Sequence, residues 1–247
     1  MKPKRIMKHL MLGAGRLLYG NSGCRVIYYH DIHSKRSFTG MSTPLALFRR
    51  HLEIIREEAF RPVPSPGEGS REVEITFDDG FRGIYENFSI LEEYGIPVRI
   101  FLVSDFIGKE NYLAEKEISE LLETGLVQIG SHTVSHRNLD TMEEREAAKE
   151  ICDSKKRLEE LFGVPVDTLC YPRGKFNDST IRIAKECGYS LQYSCLPGSC
   201  TDPFKPGMVN RSLVQNADDF EFRSILYGAD RIFYRRYLSQ QYRRSTP

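Results

Sequence analysis

"VEITFDDG", residues 73–80, runs an apolar, strand-like segment directly into two adjacent carboxylates and a glycine. Neighbouring anions repel and each resists leaving water, so a buried strand does not ordinarily end on such a pair. Alone, Asp78-Asp79-Gly80 reads as a turn or helix N-cap as readily as it does as a functional pair. Its surroundings decide the matter. Short apolar segments recur on both sides: "RVIYY" (25–29), "VRIFLV" (98–103), "LVQIG" (126–130), "DTLCY" (167–171), "YSLQY" (189–193) and "MVNRSLV" (208–214). Between them lie apolar stripes at helical spacing. Leu45, Phe48, Leu52 and Ile55 follow a Thr43-Pro44 start signal, and Ile84, Phe88 and Leu91 form a second stripe. Ile118, Leu121 and Leu122 form a third, and Ala147, Ile151, Leu158 and Leu161 a fourth. Seven strands with crossover helices predict an α/β fold with a mainly parallel sheet, either an open doubly wound sheet or a closed barrel. The Pro/Gly-rich stretch 61–72 reads as a loop within one domain, and no internal repeat is visible.

A chain of 247 residues with 40% hydrophobic and 28% charged residues is an ordinary globular composition. A formal net charge of +1 argues against a dedicated nucleic-acid binder. Basic residues do gather at both ends. Residues 1–24 begin with Lys2, Lys4, Arg5 and Lys8 and read as an amphipathic segment, while 227–247 form a basic C-terminal tail. The N-terminal apolar run is short and broken by Arg16, so it does not read as an export signal, and no stretch is long enough to span a membrane. The expectation is a cytoplasmic location, with peripheral membrane contact through the basic termini. The six cysteines contain no CxxC pair and are expected as buried thiols, with a Cys195–Cys200 loop bridge as the alternative.

The polar residues that interrupt the pattern fall at strand ends. His30-Asp31 follows the first strand, Asp78-Asp79 the second, Ser131-His132 the fourth and Tyr171-Pro172-Arg173-Gly174 the fifth. These are the C-terminal ends, where parallel α/β folds build active sites. "HTVSH" (132–136) spaces two histidines at i and i+4, which in a helical turn share one face. Two histidines and one carboxylate make a catalytic metal triad with open positions; zinc is the default ion, and cobalt or other divalent ions suit the same ligands. The second carboxylate can then take a proton from metal-bound water.

"TFDDG", "HTVSH" and "YPRG", in that order and spacing, resemble the polysaccharide deacetylases of carbohydrate esterase family 4, the NodB-homology domain, over residues 25–215. The resemblance implies a distorted (β/α)7-type barrel with mainly parallel strands, a single domain over residues 25–226. It also implies metal-dependent removal of acetyl groups from an N-acetylated glycan or glycan precursor. Carried over by position, Asp78 is the general base and Asp79, His132 and His136 bind the metal. The backbone N–H of Arg173 helps hold the oxyanion, with Tyr171 and Pro172 on the substrate side.

Three departures are visible. Cys170 stands where the family often has a base-orienting arginine, a role left to Arg211 or Arg173. The chain has no tryptophan, and no histidine follows His136, so the family's late acid is missing. "IYYHDI" resembles the opening of the poly-N-acetylglucosamine deacetylase branch and points to His30 as the acid, oriented by Asp31. His9, His33 and His51 are assigned to surface or packing, and residues 193–207 to a substrate-side loop. The open alternatives are a deacetylase of O-acetyl esters or non-sugar amides, and a non-catalytic carbohydrate-binding module. A cytoplasmic enzyme would act on a lipid-linked or nucleotide-linked precursor.

Overall fold

The six expected strands before residue 200 form where apolar runs meet turn residues: β1 (Arg25–Tyr29), β2 (Glu72–Phe77), β3 (Val98–Leu102), β4 (Val127–Ser131), β5 (Thr168–Cys170) and β6 (Leu191–Tyr193). The computed structural model describes residues 3–21 and 23–243. All the ladders are parallel, and the spatial order is β6-β5-β4-β3-β2-β1. The register aligns Ile27 with Ile75 and Phe77 with Ile100.

The seventh expected strand is not continuous. It splits into β7 (Met208–Val209), which pairs with β6, and β8 (Ser212–Leu213), which pairs with β1 at the opposite edge. One short segment therefore joins both edges of the sheet and closes it into a distorted barrel, which suppresses exposed strand edges. The break falls at Asn210-Arg211. Asn210 Nδ2 donates to the carbonyls of Ser199 (3.0 Å) and Asp202 (2.8 Å), and the Arg211 N–H donates to Leu196 O (2.9 Å). Those bonds turn the backbone between two different ladders and send the Arg211 side chain into the barrel.

The barrel interior is narrow. Val26, Phe101, Cys170, Tyr193 and Val209 fill it. Below them Arg99 Nε pairs with Glu74 (2.9 Å), which also accepts from Tyr193 OH (2.9 Å). Outside, helices α2 (Leu45–Glu57), α3 (Ser89–Tyr94), α4 (Glu115–Glu123), α5 (Glu144–Phe162) and α6 (Asp178–Glu186) cover the strands and bury residues such as Phe48, Leu52, Ile75, Ile118 and Ile151.

His51 belongs to this layer. Its ring stacks on Phe222 at 4.0 Å, bonds Tyr29 OH through Nδ1 (2.8 Å), and donates from Nε2 to Ala217 O (2.9 Å). Burial lowers its pKa from 6.5 to about 4. The unfolded chain therefore takes up this proton before the folded one does. Stability is unaffected above pH 6.5 and declines between pH 6.5 and about 4 as the unfolded state gains the proton, by roughly 3 kcal/mol for this group alone. His51→Gln should flatten that part of the stability–pH curve in denaturant melts. An unchanged slope would show that His51 does not carry it.

Residues Pro3–Tyr19 form the first helix, α1, written αN below. It rests on Leu12, which is fully buried, and on Gly15, whose backbone lies so close to Ala229 that a Cβ there would overlap its carbonyl. Arg5 and His9 pair with Asp218, and Lys8 with Glu221, tying αN to α7 (Asp219–Leu226). Asp218 also caps α7, accepting from Glu221 N–H. The C-terminal residues turn back onto the domain as α8 (Tyr234–Gln241), and Tyr242 pairs with Phe176. The end of the basic tail, 244–247, and Lys2 lie outside the described residues. Among the described residues no helix is long and apolar enough to cross a membrane.

The expectation of six thiols is corrected. Cys24 pairs with Cys200 and Cys152 with Cys187, leaving Cys170 and Cys195 free and buried. A Cys195–Cys200 bridge does not form because residues 199–200 reach back to the start of β1, where Ser199 Oγ and the Cys200 N–H bond the Cys24 carbonyl. For the same reason, residues 199–202 are not on the substrate side. They lie at the opposite end of the barrel.

Candidate active site

The C-terminal strand ends bring His30, Asp78, Asp79, His132 and the 171–174 turn to one mouth of the barrel. Asp78 N–H still bonds Tyr29 O (3.0 Å), so the β2 ladder continues to that residue. Asp79 and Gly80 then both take positive φ (72° and 76°) and turn the chain sharply away. A Cβ on Gly80 would press on Leu102 at 2.8 Å. The turn separates the two carboxylates: Asp78 enters the barrel, and Asp79 faces the histidines.

The "HTVSH" segment is not the helical turn expected from its spacing. Thr133 and His136 sit in the left-handed region (φ 68° and 60°), and the loop between them is irregular. Glu150 of α5 makes this possible: its carboxylate accepts from Ser135 N–H (2.8 Å) and Ser135 Oγ, and its carbonyl accepts from Val134 N–H. Strained backbone is concentrated here, for Asp79, Thr133, His136 and Arg173 are four of the seven positive-φ residues other than glycine among the described residues. Such strain persists only where surrounding contacts over-determine it.

His132 Nδ1–H donates to Cys170 O (2.8 Å), which leaves the Nε2 lone pair free. That Nε2 lies 3.5 Å, and His136 Nε2 3.3 Å, from Asp79 Oδ1. Asp79 Oδ1 is buried and accepts no hydrogen bond. Burial and then neighbouring Asp78 raise the Asp79 carboxyl to about 7. Burial lowers His132 to about 3 and also lowers His136. Two neutral imidazoles and a carboxylate that resists charging fit a divalent cation, which would supply the missing partner. Asp78, His132 and Cys170 also converge closely. However, burial pushes the Cys170 thiol well up, keeping it protonated, and Asp78 is already engaged.

Arg211 engages it. Fully buried, its guanidinium grips Asp78 with both ends, Nη1 to Oδ1 at 2.7 Å and Nη2 to Oδ2 at 2.9 Å. Its Nε donates to Ser194 O (3.0 Å), and the Tyr28 ring lies 4.5 Å from the guanidinium carbon. Burial alone would raise the Asp78 carboxyl, but Arg211 and then His132 hold it down to about 2. Asp78 is therefore ionised at every working pH. Of the two arginines the sequence offered, Arg211 reaches the base. Arg173 is exposed on the 172–174 turn at the rim, and its charge acts on Asp79 and His136.

His30 Nδ1 bonds Gln215 Oε1 (2.9 Å); since the amide oxygen only accepts, Nδ1 carries the proton. Burial lowers the His30 pKa, although nearby Asp78 opposes the shift. The expectation that Asp31 orients this ring is corrected, because Gln215 holds it. Asp31 is fully buried, and burial raises it to about 6. Tyr171 is also fully buried, its hydroxyl bonding Gln192, so its side chain is core and cannot meet substrate; Pro172 is buried too. Glu150 and Gln215 were missed from sequence. Glu150 left a faint signal as a carboxylate inside the apolar stripe of α5, whereas Gln215 left none.

A family model described as polysaccharide deacetylase matches residues 66–191. YxkH of Bacillus subtilis (strain 168) is 28% identical over 188 residues, 71% of this chain and 66% of that protein. The poly-beta-1,6-N-acetyl-D-glucosamine N-deacetylase of Staphylococcus aureus (strain MRSA252) is 32% identical over 165 residues, 61% of this chain and 57% of that protein. The chain thus spans less than two thirds of the length of these relatives. Among solved structures, IcaB from Ammonifex degensii superposes with a TM-score of 0.75 at 22% identity, covering 85% of this chain and 98% of that one. The Streptococcus pyogenes deacetylase PplD in complex with acetate gives 0.73 at 21%, covering 83% and 98%. At these identities the likeness is one of fold.

Proposed function

The chain belongs to the polysaccharide deacetylase family, and from that premise we propose that it hydrolyses N-acetyl groups on a glycan or glycan precursor at the mouth described above. The observation that carries this reading is the buried, unpartnered Asp79 Oδ1 between two histidine nitrogens, beside a second carboxylate that Arg211 keeps ionised. Asp79, His132 and His136 would hold a divalent ion, zinc by default. Bound there, it would acidify water and polarise the acetyl carbonyl. Asp78 takes the proton of the attacking water, oriented by the two-point grip of Arg211. The Arg173 backbone N–H serves the developing oxyanion. His30, with Nδ1–H held by Gln215 and a second proton on Nε2 favoured by the nearby Asp78 anion, gives the Nε2 proton to the leaving nitrogen and is recharged by the proton that Asp78 took from water. Water and amide are consumed, and acetate and a free amine are released. The rim cation Arg173 favours an anionic or strongly hydrogen-bonding substrate group.

The two disulfides favour an oxidising compartment over the expected cytoplasm. Alkylation of the denatured protein before and after reduction, read by mass, should find two unprotected cysteines before reduction and six after. Acetate release should occur from N-acetylglucosamine oligomers, stop on chelation and return with zinc or cobalt. Activity that survives complete metal removal, or that is confined to O-acetyl esters, would sink the reading.

A further inference from the structure

A pocket of about 260 Å3 lies beside the mouth, along the 103–114 loop that joins β3 to α4. Arg36, Phe38, Arg82, Asn111, Tyr112 and Glu117 line it. This loop is fastened to the turn that carries the two carboxylates. Leu113 N–H donates to Gly80 O (2.9 Å) and Arg82 N–H to Asn111 O (2.9 Å), so Tyr112 pairs antiparallel with Phe81. Their rings stack at 4.7 Å. From there the wall continues to the histidines. The partly exposed Phe106 lies 4.7 Å from the Tyr112 ring and 6.5 Å from that of His136, whose side chain is 20% exposed. Pocket and mouth therefore share one aromatic wall. Burial, and then the Asp79 carboxylate, raise the Tyr112 pKa, in keeping with that closeness.

The lining suits a sugar ring, which has apolar faces and a rim of hydroxyls. Tyr112 and Phe38 supply aromatic surface, and the two arginines are held as planar donors. Arg36 Nη2 bonds Asn111 Oδ1 (3.0 Å) and packs over Phe38, while Arg82 pairs with Glu117 (2.7 Å). Those cations are occupied, but Lys109 is not. Exposed, it stands with Nζ 5.4 Å from the centre of the Phe106 ring, the link between pocket and His136. Its ammonium has no ion-pair partner among the described residues. Neither has Arg173, the rim cation whose charge also reaches His136. Two uncommitted cations beside one substrate path raise the local concentration of an anion. Resting on the deacetylase reading above, we propose that the substrate is an anionic glycan. The sugar next to the acetylated one sits in this pocket, and its acidic group meets Lys109.

The test compares N-acetylglucosamine oligomers with the same oligomers carrying O-carboxymethyl groups, using the full chain loaded with zinc. Wild type should favour the carboxymethylated oligomers in kcat/KM by about tenfold at low salt, the scale of one hydrogen bond to a charged group. The preference should shrink as salt is added. Lys109→Gln should erase it through KM and leave turnover of the neutral oligomers unchanged, whereas Lys109→Arg should keep it. Arg36→Ala should raise KM for the oligomers and not for a single N-acetylated sugar; an equal response of both would remove the neighbouring sugar from the pocket. Equal use of the two oligomers by wild type, or a preference that survives in Lys109→Gln, overturns the proposal. Calorimetric titration with both oligomers separates this from failure of the deacetylase reading. Tighter binding of the carboxymethylated oligomer, lost in folded Lys109→Gln protein, supports the site even if no acetate is released. Equal binding of the two by wild type, or binding of neither, overturns it.

Discussion

Asp78→Asn should lower acetate release by about 10²- to 10⁴-fold while zinc stoichiometry stays unchanged, the range expected when a positioned general base is removed. The two carboxylates of the motif are near in sequence but separated in role. Asp79 Oδ1 faces His132 and His136, whereas both Asp78 oxygens are taken by Arg211. An asparagine retains a carbonyl oxygen for one guanidinium N–H. Arg211 also keeps the Ser194 carbonyl, the Thr76 hydroxyl (3.1 Å) and the Tyr28 ring, so it is not left without partners. Metal titration and acetate release, measured on the same preparation, read the two roles separately. Should Asp78→Asn retain most of its turnover, Asp78 is not the base; should it lose metal, Asp78 is a ligand.

Arg211→Met should produce the largest loss of stability, about 3–5 kcal/mol at pH 7, because it leaves the Asp78 anion buried without a counter-charge. The sign of the pH dependence follows. In wild type the folded Asp78 pKa, about 2, lies below the ordinary carboxylate value of 3.8. Its contribution is therefore present above pH 3.8 and lost as pH falls toward 2. In Arg211→Met, burial is unopposed and the Asp78 pKa rises, so this contribution disappears. Wild type and variant should differ most near neutrality and converge in acid. The acid limb of the activity profile should also move to higher pH, a change that a purely structural defect would not produce. Cys170 packs against both Asp78 and Arg211, its Sγ 3.8 Å from Asp78 Oδ2. An arginine brought in at that position, Cys170→Arg, should restore part of the low-pH activity of Arg211→Met. Coincident pH profiles for wild type and Arg211→Met would show that Arg211 does not set the ionisation of Asp78.

Much of the site was legible because it is built from local signals. Strand ends are visible in sequence as apolar runs meeting polar residues. Asp78, Asp79, His132 and His136 follow such runs closely enough that the parallel topology alone brings them together. The histidine spacing was informative although its helical rationale was not, since left-handed Thr133 and His136 achieve the convergence instead. Arg211, Gln215 and Glu150 were harder. Their partners lie 133, 185 and 15 residues away in the chain, and such pairings leave no periodic trace.

A parallel α/β chain with a two-carboxylate, two-histidine mouth is written in short-range signals, because alternation of apolar runs and strand-end polarity are properties of neighbouring residues. The break of the last strand that closes the barrel, the choice of Arg211 over Arg173 to hold the base, and the meeting of Cys24 with Cys200 emerge only in the folded chain. Each depends on which distant backbone groups find partners once the sheet has curved. Burial then makes those choices consequential: a guanidinium and a carboxylate placed in the same dry interior must meet, or one of them must give up its charge.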